Sequence, residues 1–254
     1  MKKSSQNKTI FRFFSNPKVG LADVSERAMN FFGDAPLPRK RDRLLIFASH
    51  PDDEVLAAGG LMALAKQVGA GVRIIIATDG NKRGLKSIRY QETKRAVSIL
   101  GIEPKSVIFW NYPDAKLKQC VYNLPRKISQ VLGDYKPTIV VIPSPADNHS
   151  DHSVLGAVLM SYLEVSGFQA EVLEYLIHFR YYPRPRGLYK NRYLLPPAAL
   201  ITNDKQWLKL VLPPEIINLK HEAILKYRSQ LRTPLLRAPL LSFVRKNELF
   251  FRAK

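Results

Sequence analysis

Short, almost wholly apolar runs alternate with stretches of helical spacing through the middle of this chain. Residues 43–49 (RLLIFAS), 72–78 (VRIIIAT), 106–110 (SVIFW) and 137–143 (PTIVVIP) have the length and continuous apolarity of strands buried on both faces. After the first comes EVLAAGGLMALAKQVG, which repeats apolar residues at helical spacing until Gly69 and Gly71 stop it. A second helix is predicted over 88–100, ended by Gly101. A third lies within 124–132, with Pro125 near its first turn where proline is tolerated, and DHSVLGAVLMSYLE gives a fourth. Four strand-then-helix units in series imply an α/β fold, a mostly parallel sheet with right-handed crossovers and helices on both faces. Past residue 170 the pattern weakens: VLEYLIHFRYY and WLKLVLP read as further strands, and PPEIINLKHEAILKYRSQL as a helix entered through Pro213 and Pro214. Residues 1–42 lack a clear period and read as a basic N-terminal extension with one short helix around 22–32. The folded domain is expected over 43–232, with a basic, apolar tail over 233–254.

Composition narrows the chemistry. The single cysteine, Cys120, excludes an internal disulfide and any cysteine-rich zinc site, so a metal here must be held by histidines and carboxylates. No run of 18 apolar residues occurs, and the basic start of the chain lacks the apolar core of a signal peptide. A cytoplasmic protein is the expectation. The net charge of +19 attracts anionic partners, and the segment RYYPRPRGLYKNR (180–192) carries five basic residues and no acid. No nucleic-acid-binding motif accompanies that charge, so a specific nucleic-acid partner is not expected. The mixture of large apolar residues and cations over 235–254 suits contact with an anionic membrane surface, although Pro239 interrupts a continuous amphipathic helix there.

In open parallel sheets ligands sit beyond the C-terminal ends of the strands, and two clusters of potential metal ligands fall at such ends. SHPDDE (49–54) follows the first strand, and HSDH (149–152) follows the fourth. A catalytic zinc site needs three protein ligands and one open position. His50 and Asp53 leave one turn and His152 completes the set from the other loop. That His2Asp set suits zinc and can also hold iron(II) or cobalt. Asp52 stands next to the ligands as a general base toward water, and His149 as a donor to developing negative charge or to the leaving amine. Each residue alone has a plainer reading: Asp52, Asp53 and Glu54 complement a helix dipole, and Asp147 and Asn148 cap a helix. Three of the five histidines in two clusters at strand ends argue for the metal. His178 and His221 are given no metal role.

SHPDDEVLAAGG and PSPADNHSDHSVLGAVL resemble the two signature motifs of the LmbE/PIG-L deacetylase family. The resemblance implies a Rossmann-like three-layer fold and zinc-dependent hydrolysis of the acetyl group from an N-acetylglucosamine unit of a glycoconjugate. It implies His50, Asp53 and His152 as zinc ligands, Asp52 as base and His149 as oxyanion stabiliser. RYQETKRAVSILG is similar to a family helix whose arginine, here Arg89, faces the substrate, and FWNYPDAKL to a loop whose aspartate, here Asp114, contacts the sugar. Ser49 stands where the family usually has alanine, and TDGNKRG where many members have a glycine-glutamate turn. Two other readings remain open on the residues alone: a sugar O-acetyl esterase running on the same site, and a basic binding protein that has lost catalysis and docks on an anionic polymer or membrane.

Overall fold

A computed structural model describes residues 26–81, 83–202 and 205–253. In chain order its elements are β1 (Gly33–Asp34), β2 (Arg43–Ala48), α1 (Asp53–Gln67), β3 (Gly71–Thr78), α2 (Lys86–Ile99), β4 (Val107–Tyr112), α3 (Leu124–Tyr135), β5 (Ile139–Pro143), α4 (Ser150–Ser166), β6 (Glu171–Tyr175), β7 (Lys205–Val211), α5 (Pro214–Ile224), α6 (Arg228–Leu231), α7 (Pro234–Leu241) and β8 (Asn247–Ala253). The described strands form one sheet in the order β1-β7-β8-β6-β5-β2-β3-β4. All neighbours are parallel except for β8, which runs antiparallel to both β6 and β7.

The apolar runs form strands because both faces of the sheet are covered. Leu44, Ile46 and Ala48 point into a core shared with α1, α2 and α5, while Leu45 and Phe47 point into a second core with α3 and α4. Alternate residues of one strand thus feed two cores, which is why β2 shows no polar alternation. From β2 the chain winds outward through β3 to β4, then returns to the other side of β2 for β5 and β6. The strand order therefore reverses between β2 and β5. At such a point the loops leaving the two strands diverge and open a crevice, and SHPDDE and HSDH leave these two strands.

The C-terminal segment differs from its expectation as a tail. Residues 247–253 enter the sheet between β6 and β7, and Phe250 and Phe251 are fully buried. Of the apolar residues suggestive of a lipid surface, Leu249, Phe250 and Phe251 are core residues of a strand covered on both faces, whereas Leu235 is 85% exposed. The N-terminal extension is likewise tied down where it is described: Ala28, Met29, Phe32 and Ala35 are buried, and Gly33 and Asp34 pair with β7. The short helix expected around 22–32 falls partly outside the described residues, and 26–29 are helical. No helix among the described residues is long and apolar enough to cross a membrane.

Helix α1 bends at Ala58, whose φ and ψ of −134° and 20° are not helical. In an unbroken helix the Leu56 carbonyl would accept from Gly60 N–H. Instead Lys220 Nζ donates to Leu56 O at 2.9 Å, and Glu248 accepts from the amides of Gly60 and Leu61 at 2.6 and 2.9 Å. Lys220 and Glu248 pair at 2.6 Å, and both are buried. One ion pair thereby satisfies both sides of the bend.

Gly156 marks the closest approach of a helix to the strand leading into the second motif. A Cβ there would lie 2.2 Å from Pro143 O and 2.9 Å from Pro145 N, both backbone atoms. Gly156→Ala must push α4 away from the loop bearing Asp147 and His149. We expect a loss of about 1–3 kcal/mol or more in unfolding free energy, read from the urea midpoint. An unchanged midpoint would show that this approach is not a constraint.

Candidate functional site

The turn after β2 and the loop after β5 meet at the floor of an open cavity of about 790 Å³. His50 Nδ1, Asp53 Oδ2 and His152 Nε2 form a triangle with sides of 3.2, 3.3 and 2.9 Å. Three donors of a tetrahedral ion, each about 2.0–2.1 Å from it, stand about 3.3 Å apart, so the triangle has the size that a zinc ion requires. Both histidines present the correct nitrogen. Asp151 Oδ2 lies 3.1 Å from His50 Nε2, and Asp147 Oδ2 lies 3.4 Å from His152 Nδ1. The hydrogen bond to Asp151 favours the proton on the far nitrogen of His50, and Asp147 faces the far nitrogen of His152 without a hydrogen bond, so each near lone pair can be aimed at the triangle. These residues fit a divalent cation.

The electrostatics agree. Burial disfavours a charged His50, but Asp114, Asp151 and Asp53 outweigh it and raise its pKa well above the ordinary value. His152, also opposed by burial, is pushed up to about 9 by Asp53 and Asp147. Burial would raise Asp53, yet His152 and His50 hold it well below the usual range. So many carboxylates in one buried place favour positive charge at their centre.

Asp52 sits beside the triangle in a conformation rare for any residue but glycine, with φ 117° and ψ −32°. Such strain, of the order of 1–3 kcal/mol, persists where neighbours over-determine the geometry. Glu54 accepts from Asp52 N–H at 3.0 Å, and Arg89 donates to Pro51 O and, at 3.2 Å, to the Asp52 carboxylate. Glu54 is itself held by the hydroxyl of the fully buried Tyr227. Burial raises Asp52 to about 7, with Arg89 pulling the other way. His149, the N-cap of α4, accepts from Asp151 N–H through Nδ1 at 3.3 Å. A neutral ring in that role carries its proton on Nε2, and burial, with His50 and His152 nearby, lowers its pKa and keeps it neutral.

Arg89 lines the cavity, but its guanidinium is engaged by Asp52, Pro51 O and Gly80 O, so it holds the turn that carries Asp52. Asp114 also lines the cavity, with Oδ1 3.5 Å from His50 Nε2.

Residues 45–163 match the sequence profile of PIG-L, described as GlcNAc-PI de-N-acetylase. Both motifs lie inside that range. That segment, just under half of the chain, resembles a PIG-L domain. Its relative YaiS of Escherichia coli (strain K12), described as an uncharacterized deacetylase, is 28% identical over 120 residues, 44% of this chain and 63% of YaiS. The match thus spans less than two thirds of that relative's length. In fold, the conserved protein TT1542 from Thermus thermophilus is similar with a TM-score of 0.59 and 24% identity, over 78% of this chain and 84% of the other. The N,N'-diacetylchitobiose deacetylase of Pyrococcus horikoshii is similar with a TM-score of 0.56 and 18% identity, over 100% and 93%. These structures share the LmbE-like architecture of a mostly parallel sheet between helices.

Three residues at or beside the cavity escape the sequence reading. Asp147 reads as a helix cap, but its carboxylate also accepts from the amides of Ile177 and His178 and faces His152. Asp151 accepts from Ala115 and Leu117 N–H, binding the Asp114 loop to the second motif. His178 is the third. One of its ring nitrogens lies within 4.8 Å of ligand atoms of Asp53 and His152, and its ring faces the cavity. Its side chain is exposed at the cavity, and local desolvation together with the nearby His152 lowers its pKa. The available signal was its place: His178 follows β6, which is parallel to and adjacent to β5, so it too lies beyond a C-terminal strand end.

Proposed function

We propose that this chain hydrolyses the acetamide of an N-acetylated amino sugar in a glycoconjugate, with a zinc ion held by His50, Asp53 and His152. The observation that carries this reading is the donor triangle with sides of 2.9–3.3 Å, backed by one carboxylate behind each histidine. A zinc ion there supplies Lewis acidity and a water acidic enough to ionise near neutral pH. Asp52, steadied by Arg89, takes the proton of the attacking water and can return it to the departing amine. His149 Nε2–H donates to the acetyl oxygen as that oxygen gains charge. Asp114 lines the same cavity and is suited to accept from a sugar hydroxyl. The resemblance to PIG-L and the deacetylase relatives support amide hydrolysis on an acetylated sugar.

The test is acetate release from a panel of N-acetylglucosamine conjugates and O-acetylated sugars, with the zinc-loaded protein and a chelated sample side by side. We expect release from the N-acetyl substrates that chelation abolishes and zinc restores. Release from O-acetyl sugars alone would overturn the amide assignment. Absence of both release and metal binding would overturn the hydrolase reading altogether.

A further inference from the structure

The helix expected from Pro213 is broken at Tyr227, whose ψ of 57° is not helical. In an unbroken helix, residues two apart face in different directions. The break lets Tyr227 and Ser229 both turn toward the elements that hold Asp52. The hydroxyl of Tyr227 donates to one carboxylate oxygen of Glu54, and the other oxygen accepts from Asp52 N–H at 3.0 Å. Tyr227 and Glu54 are both fully buried. Ser229 grips a second element. Its N–H and Oγ–H donate to the two carboxylate oxygens of Glu92 at 2.7 and 2.6 Å. Glu92 stands on α2 three residues beyond Arg89, on the same face of the helix. Arg89 in turn donates to Pro51 O and to the Asp52 carboxylate.

Packing alone does not call for this arrangement. A buried carboxylate at position 54 carries a desolvation cost that an apolar side chain would avoid. Each of its oxygens has a use: one is held by Tyr227, and one holds the amide of the residue at φ 117°. A strained backbone persists only where its neighbours over-determine it. Tyr227 and Ser229 complete that set of neighbours from the C-terminal half of the chain.

We propose that Tyr227 and Ser229 are positioning residues for Asp52, Tyr227 acting through Glu54 on its backbone and Ser229 through Glu92 and Arg89 on its carboxylate. The role of Asp52 as base rests on the deacetylase reading; the hold on its turn does not. A base must meet the attacking water in one narrow geometry, so a small shift of Asp52 slows the chemical step. Substrate contacts made elsewhere in the cavity are kept, and the loss falls on kcat rather than on KM.

The test uses the full-length zinc-loaded protein. Tyr227→Phe removes the hydroxyl and keeps the buried ring; it should lower kcat for acetate release about 10–10²-fold, with KM and zinc affinity kept. Ser229→Ala should lower kcat less, and Ser229→Thr, which keeps a hydroxyl, should restore it. Hydrogen exchange of the Asp52 amide, followed by NMR without substrate, should be faster in Tyr227→Phe than in wild type. Trp207→Phe is the structural control. It deletes the bond from Trp207 Nε1 to Leu200 O and should lower the urea midpoint with kcat kept. Wild-type kcat in both Tyr227→Phe and Ser229→Ala, or an equal fall of kcat in Trp207→Phe, would overturn the proposal. Exchange separates the two ideas. Faster exchange in Tyr227→Phe, in a protein that releases no acetate, supports the hold on the turn and counts against the deacetylase reading. Unchanged exchange overturns the hold whatever the activity.

Discussion

Asp52→Asn is expected to lower kcat for acetate release by about 10²–10⁴-fold, with zinc binding retained and KM changed little. The triangle of His50, Asp53 and His152 does not include Asp52, so the variant should keep its metal. The amide side chain keeps the shape of the carboxylate but cannot take a proton from water. Asparagine is also a better probe than alanine, because Asp52 has φ 117° and asparagine tolerates positive φ better than most residues. A fall in kcat together with loss of zinc would mean that Asp52 holds the ligand turn in place. Unchanged kcat would remove it as the base.

Glu248→Ala is expected to lower the unfolding free energy by about 3–5 kcal/mol, a larger loss than from Lys220→Met. Glu248 accepts from Gly60 and Leu61 N–H and pairs with Lys220, all in the core. Truncation strands a buried ammonium and two buried amides at once. Lys220→Met nearly conserves volume and leaves the carboxylate with its two amides, so only the charge partner and the bond to Leu56 O are lost. Urea unfolding of both variants checks the order. The bend at Ala58 lies in the helix that begins with Asp53, so weaker zinc binding should accompany the loss of Glu248. Equal stabilities of wild type and Glu248→Ala would show that water can replace the pair.

The regular half of the fold is legible in the sequence. Strands expected at 43–49, 72–78 and 137–143 occur as β2, β3 and β5, each shorter or longer by no more than two residues at an end. Continuous apolar runs can bury both faces only in a covered parallel sheet, so local pattern and global architecture coincide there. The second half is harder to read. VLEYLIHFRYY supplies a strand only as far as Tyr175, and the long helix expected from Pro213 breaks into α5 and α6 around Tyr227. The hydroxyl of Tyr227 bonds to Glu54, a residue 173 positions away, and no local spacing encodes that partnership.

At the site, the sequence by itself determined which side chains could hold a cation. With one cysteine in the chain, histidines and carboxylates were the available donors, and the strand-end rule located two of their clusters. Tertiary structure alone decided the neighbours. β5 lies beside β2 although β3 and β4 come between them in the chain, and this placement brings His152 onto His50 and Asp53. It also turned Asp147 from a cap into the group facing His152, set Asp151 behind His50, and brought His178 to the same cavity. The last strand shows the same division. Residues 235–254 carry large apolar residues and cations, and by composition their end, 247–253, could lie on a membrane surface or form a covered strand. The place between β6 and β7 settled the matter, because hydrogen-bonding partners on both sides are a property of the folded sheet and not of the segment.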